Sequence, residues 1–146
     1  MIDPHPYHPD DFDTETLSDF IDSLKDEIDI ISGQLLVLEK DPGNRDIINA
    51  LFRSVHSIKG NARMCFLEPF SDFLHAVEEM LSEVRASRMA YSAVMGEAVM
   101  LSLDQVKLKA EDLLRDGHTD IGLFSAIIPF LGDVISASAG DARKLL

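Results

Sequence analysis

In the stretch LFRSVHSIKGNARM, residues 51–64, His56 stands three places before Lys59, and Gly60 follows at once. Further along, within FLHAVEEM, His75 and Glu78 are again three apart. An imidazole is a capable nucleophile near pH 7, because its ordinary pKa of about 6.5 leaves much of it neutral. One ring nitrogen can take up a phosphoryl group while the other donates a hydrogen bond. A carboxylate accepting that bond selects the tautomer and strengthens the free nitrogen, the orienting logic of catalytic triads. A nearby ammonium offsets the charge of the transferred phosphoryl oxygens. These residues suffice for phosphoryl chemistry if two separate segments bring them together.

Both segments read as helices. Ile48, Leu51, Phe52, Val55 and Ile58 form one apolar stripe, and Phe70, Phe73, Leu74, Val77, Leu81 and Val84 form the next. Pro69 suits the first turn of the second of these. Upstream, Leu17, Phe20, Ile21, Leu24, Ile28, Ile31, Leu35 and Leu38 mark a long helix with Asp13 or Thr14 at its start. Pro42 and Gly43 then make a turn. A fourth helix is expected over about residues 91–114, with a less defined inward face. A fifth follows through Ile127, Ile128, Leu131, Val134 and Ile135, capped by Thr119 or Asp120 and kinked or restarted at Pro129. His118 falls in the intervening loop as a solvated residue. With no alternating strand pattern and no internal repeat, the expected fold is an all-α antiparallel bundle of about five helices around a four-helix core. Residues 1–13, rich in proline and aspartate, read as an irregular leader, 14–139 as the bundle, and 140–146 as a tail or the start of a linker. His5 and His8 lack a ligand cluster and read as part of that leader rather than as a metal site.

At about 100° per residue, His56 lies about 80° round from Ile48, at the edge of its helix's stripe. Lys59 is one turn further along the same side. Gly60 leaves that side low, at a cost of roughly 1 kcal/mol relative to alanine in a helix interior, which points to access or close packing. His75 and Glu78 flank the stripe of the next helix, so an antiparallel pair brings the two flanks face to face. Glu78, read as an edge carboxylate, is expected to contribute little to stability.

The chain has 146 residues, 46% of them hydrophobic, and a net charge of -13. That length supports one domain with a real core. The charge argues against a nucleic-acid partner and suits protein partners. Cys65 is the single cysteine, so no internal disulfide forms, in keeping with a reducing compartment. The first residues lack the features of a secretory signal, and no stretch is apolar for the length of a membrane span. A cytoplasmic, monomeric domain away from the membrane is expected.

HSIKG resembles the H-x-x-K-G core of histidine phosphotransfer domains. The longer run LFRSVHSIKGNARM…FLHAVEEMLSEVR is similar to the N-terminal phosphotransfer domain of CheA-type chemotaxis histidine kinases, over about residues 14–135. The resemblance implies that His56 is the phosphoacceptor, with Lys59 on the same helix and His75 and Glu78 polarising it from the next. Gly60 would serve partner access. Arg63, seven residues beyond His56 on nearly the same side, is by its spacing a candidate for partner access or phosphoryl binding beside a plain surface role. The resemblance implies a carrier and substrate domain rather than a complete enzyme, with no cofactor and no metal. The donor would be a histidine kinase catalytic domain or a phosphorylated receiver, and the acceptor a response-regulator aspartate. The chain departs from the family at Asn61, Ala62 and Arg63, where small residues are usual, and at Phe66, where the pattern has glycine. Two other readings compete: a non-catalytic docking module for receivers, and a metal-binding bundle, which the His-x-x-Glu order and Lys59 disfavour.

Overall fold

The computed structural model describes residues 5–9 and 13–144, with side chains through residue 136. Five helices, α1 (Thr14–Lys40), α2 (Arg45–Met64), α3 (Glu68–Arg85), α4 (Ala93–Asp116) and α5 (Gly122–Lys144), are joined by two short strands, β1 (Pro6–Tyr7) and β2 (Thr119–Asp120). The fold is all-α in its architecture, as the apolar spacing predicts.

Each helix starts and stops for a local reason. Asp13 caps α1, its carboxylate accepting from the Glu15 amide and the Thr16 hydroxyl. Asn44 caps α2 through the Ile47 amide, at 3.1 Å. Inward, α1 buries Leu17, Phe20, Ile21, Leu24, Ile31, Leu35 and Leu38, while Ile28 is only partly covered at the core's edge. Gly96 lets α4 approach Tyr91, since a Cβ there would collide with the phenol. The wide apolar spread of α4 follows from its packing on α1 and α5 and, less extensively, on α3.

The α2–α3 pair carries the candidate residues and is pinned at one end by Arg45. Its guanidinium donates to the carbonyls of Val84, at 3.1 Å, and Arg85, in the last turn of α3. A cation there satisfies orphan carbonyls and complements the helix dipole. At the other end, α2 closes in a Schellman turn: the Leu67 amide donates to Ala62 and the Phe66 amide to Arg63. Leu67 is buried as the turn's apolar anchor, and Pro69 follows in the first turn of α3.

α3 is held from behind by α5. The Phe73 and Phe124 rings stack with centroids 4.3 Å apart, and Phe70 meets Phe124 edge-on at 5.3 Å. Phe73 is fully buried. Phe73→Ala is expected to cost about 3–5 kcal/mol and lower the melting temperature by roughly 10 °C. Thermal unfolding followed by circular dichroism checks this, and a change of only about a degree would show that α5 does not brace α3.

One expectation needs correction, and two open choices are decided. The leader is not irregular throughout: β1 pairs antiparallel with β2, Pro6 opposite Asp120 and Tyr7 opposite Thr119. The His5 amide donates to the Asp120 carboxylate, and the Ile121 amide to the His5 carbonyl. A two-residue ladder is too short for strand periodicity to reveal. Second, of the two capping candidates Asp120 serves α5, accepting from the Gly122 amide at its start, whereas Thr119 donates to Asp112. Third, of the two outcomes expected at Pro129 the restart does not occur: α5 runs through it and on to Lys144. Pro129 and Ser125, whose carbonyl Pro129 cannot bond, are both exposed, so water can take the place of the missing donor. His118 is exposed as expected, its ring 5.2 Å from that of His8.

Candidate phosphotransfer site

Where α2 and α3 face each other, one carboxylate joins both helices. Glu78 Oε2 lies 2.8 Å from His56 Nδ1, and Glu78 Oε1 accepts from Lys59 Nζ at 2.9 Å. The acceptor is a carboxylate, so Nδ1 carries the proton and donates, which leaves the lone pair on Nε2. The His56 side chain is 62% exposed, whereas those of Lys59 and Glu78 are each 11% exposed. An outward imidazole thus rests on an inward ion pair. Burial pushes the Glu78 carboxyl up, but hydrogen bonds from Lys59 and His56, with their charge, outweigh it and hold the pKa below the usual value.

Geometry brings His56, Lys59 and Glu78 together and sets His75 apart. His75 Nδ1 is 3.9 Å from Glu78 Oε1, beyond hydrogen-bond reach, while its Nε2 pairs with Glu79 at 3.1 Å. Gly60 is half-buried, and a Cβ there would meet nothing within 4 Å. The chain's own packing therefore does not need a glycine at this position. Arg63 is exposed seven residues beyond His56, on nearly the same side of α2. The reading of Glu78 as an edge carboxylate is corrected: it is 9% exposed and ties two helices together.

Sequence reasoning missed three contributors. Glu79 holds His75. Phe52, one turn before His56, lies parallel to its ring at 6.3 Å, and the Arg85 guanidinium sits 3.8 Å above the Phe52 ring. The four-residue spacing from Phe52 to His56 carried a signal, but Phe52 reads first as a core residue. Among the described residues no three His, Cys, Asp or Glu side chains gather to hold a metal. Also among them, no helix is long and apolar enough to cross a membrane.

A helical bundle with an exposed, carboxylate-oriented histidine defines a class, and comparison with known proteins names it. The Hpt domain model matches residues 15–115, and the chain belongs to the Hpt domain family. Among individual proteins it is similar to chemotaxis protein CheA of Treponema pallidum (strain Nichols), 31% identical over 103 residues, which are 70% of this chain and 13% of that protein. It is also similar to CheA of Halobacterium salinarum, 26% identical over 136 residues, 86% of this chain and 20% of that one. The chain thus spans a fifth or less of the length of these relatives. Among solved structures, the CheA phosphotransferase domain from Thermotoga maritima superposes with a TM-score of 0.66 at 25% identity, covering 69% of this chain and 96% of that one. The phosphorylated P1 domain of CheA3, solved in complex with CheY6 from R. sphaeroides, shares the fold: TM-score 0.71, 21% identity, 86% and 99% covered.

Proposed function

We propose that this domain carries a phosphoryl group on Nε2 of His56, between a histidine kinase catalytic domain or a phosphorylated receiver and an aspartate of a response-regulator receiver. The observation that carries the reading is the 2.8 Å contact of His56 Nδ1 with Glu78, made by a ring whose other nitrogen is free. In uptake, the Nε2 lone pair forms the N–P bond while the donor's P–O bond breaks, its oxygen keeping the electron pair. The positive charge left on the ring is offset by Glu78, which holds the Nδ1 proton. Lys59, on the other oxygen of that carboxylate, supplies a cation beside the incoming phosphoryl oxygens. In release, an aspartate oxygen attacks phosphorus and the N–P bond breaks, returning the lone pair to Nε2.

The chain acts as substrate and carrier, with the nucleotide site on the donor, and works in the cytoplasm as a monomeric unit within a longer protein or alone. Incubation with a kinase catalytic domain and ATP should add one acid-labile, base-stable phosphoryl group, mapped to His56 by mass spectrometry. Binding of receivers without any phosphate uptake from active donors would favour the docking-module reading instead.

Gly60 supplies a further expected result. Since a Cβ meets nothing within the chain, Gly60→Ala should stabilise α2 by roughly 1 kcal/mol. Transfer between proteins should nonetheless slow, because the added methyl stands one turn from His56 in the partner's path. Melting temperature and transfer rate, measured together, test this; an unimpaired rate would remove the access role.

A further inference from the structure

Phe66 is where the chain departs from the glycine of the family pattern, and the fold does not account for it. The residue has a φ of 59°, the left-handed region that suits the C′ position of a Schellman turn and favours glycine. A side chain there strains the backbone. Its ring earns no burial in return, because Phe66 is 77% exposed. Ser87, the other non-glycine residue with positive φ among those described, is small and polar and so exposes no comparable apolar surface. Met64, two residues earlier, is also 77% exposed. Beside them a groove of about 380 Å³ lies between the start of α1 and the end of α2, its lining including Thr16, Leu17, Cys65 and Leu67. A strained backbone holding an exposed aromatic ring next to an open groove marks a surface kept for contact rather than for folding.

Position identifies the occupant. His56, Gly60 and Met64 are four apart, so they form one ridge on the surface of α2. At 1.5 Å per residue, Met64 lies about 12 Å along the axis from His56, and Phe66 follows in the turn that closes α2. A partner patch of about 800 Å², roughly 30 Å across and centred on His56, covers both. A receiver that brings an aspartate to Nε2 with a footprint of that size reaches Met64 and Phe66. We infer that these two residues are an apolar, specificity-determining extension of the face that docks the response-regulator receiver, with a receiver side chain seated in the groove beside them. This inference rests on the phosphotransfer reading.

The test compares the full chain with Phe66→Gly and Phe66→Tyr, using the receiver that accepts phosphate from the wild type. Phe66→Gly relieves the strain, so the melting temperature should hold or rise by roughly 2 °C. Receiver affinity by calorimetry should nevertheless fall about tenfold, as for loss of an aromatic contact. Phe66→Tyr keeps both ring and strain and should bind like wild type. Direct labelling of His56 by phosphoramidate, which needs no partner, should be the same in all three. Full receiver affinity and transfer in Phe66→Gly would overturn this inference while leaving the phosphotransfer reading intact. A wild type that dimerises through Phe66 in sedimentation, with receiver binding equal in all variants, would overturn it too. Wild-type labelling by phosphoramidate with no onward transfer to any receiver would overturn the phosphotransfer reading and this inference with it.

Discussion

His56→Gln is expected to abolish phosphoryl uptake while leaving the bundle folded. The ring is 62% exposed, so its removal opens no core cavity. A glutamine amide can still donate to Glu78, which keeps that carboxylate partnered, but an amide nitrogen offers no free lone pair to phosphorus. Stability should change by less than about 1 kcal/mol, as is usual for exposed positions. Labelling with a kinase domain and ATP is read beside thermal unfolding. Retained label in a folded variant would place the acceptor elsewhere, and His75, also exposed and paired with Glu79, would be the next residue to replace.

Glu78→Gln has two expected effects with one cause. Losing the charge weakens the orientation of His56 and leaves the imidazolium formed during uptake without its counter-ion. General acid–base and orienting groups contribute about 10²–10⁴-fold, and an imidazole this exposed belongs near 10². The same change strips Lys59, which is 8% exposed, of its charged partner. Hydrogen bonds to charged groups are worth about 1.5–3 kcal/mol, so the variant should also melt measurably lower. An unchanged labelling rate in a folded variant would remove Glu78 from the mechanism.

The stability effect has a definite pH dependence. The folded pKa of Glu78 is lowered relative to the unfolded chain, so the folded state favours the ionised form. The resulting stabilisation is fully present above the unfolded carboxylate pKa of about 4.3 and is lost as the pH falls through the lower folded value. The gap in stability between wild type and Glu78→Gln should therefore close as the pH falls below about 4. A gap that stays open well below that range would contradict a carboxylate held ionised by Lys59 and His56.

Much of this protein is legible in its residues. Helix content, the turns between the helices and most inward residues follow from apolar spacing, because a stripe at three- and four-residue intervals has only one way to be buried. The pairs His56–Lys59 and His75–Glu78 are each fixed by helical pitch, and antiparallel packing of adjacent helices brings the two flanks together. The residues offer Asp13 or Thr14 as the α1 cap, and Asp13 fills that place.

What lay beyond reach depends on contacts between distant segments. Spacing locates Glu78 on a flank but not its depth, and depth turns an edge carboxylate into a buried acceptor for both Lys59 and His56. His75 was expected to share that task, yet a 3.9 Å gap and a competing Glu79 one turn on direct it elsewhere. Arg85 reaches Phe52 only because α3 runs antiparallel to α2. The strand at Pro6–Tyr7 exists only because β2 presents a backbone edge more than a hundred residues later. The sequence by itself determined which residues share a helix face, since that follows from 3.6 residues per turn. Only the tertiary structure decided which of them meet, how deeply each is buried and which nitrogen of His56 faces the solvent, because those depend on how faces of different helices pack.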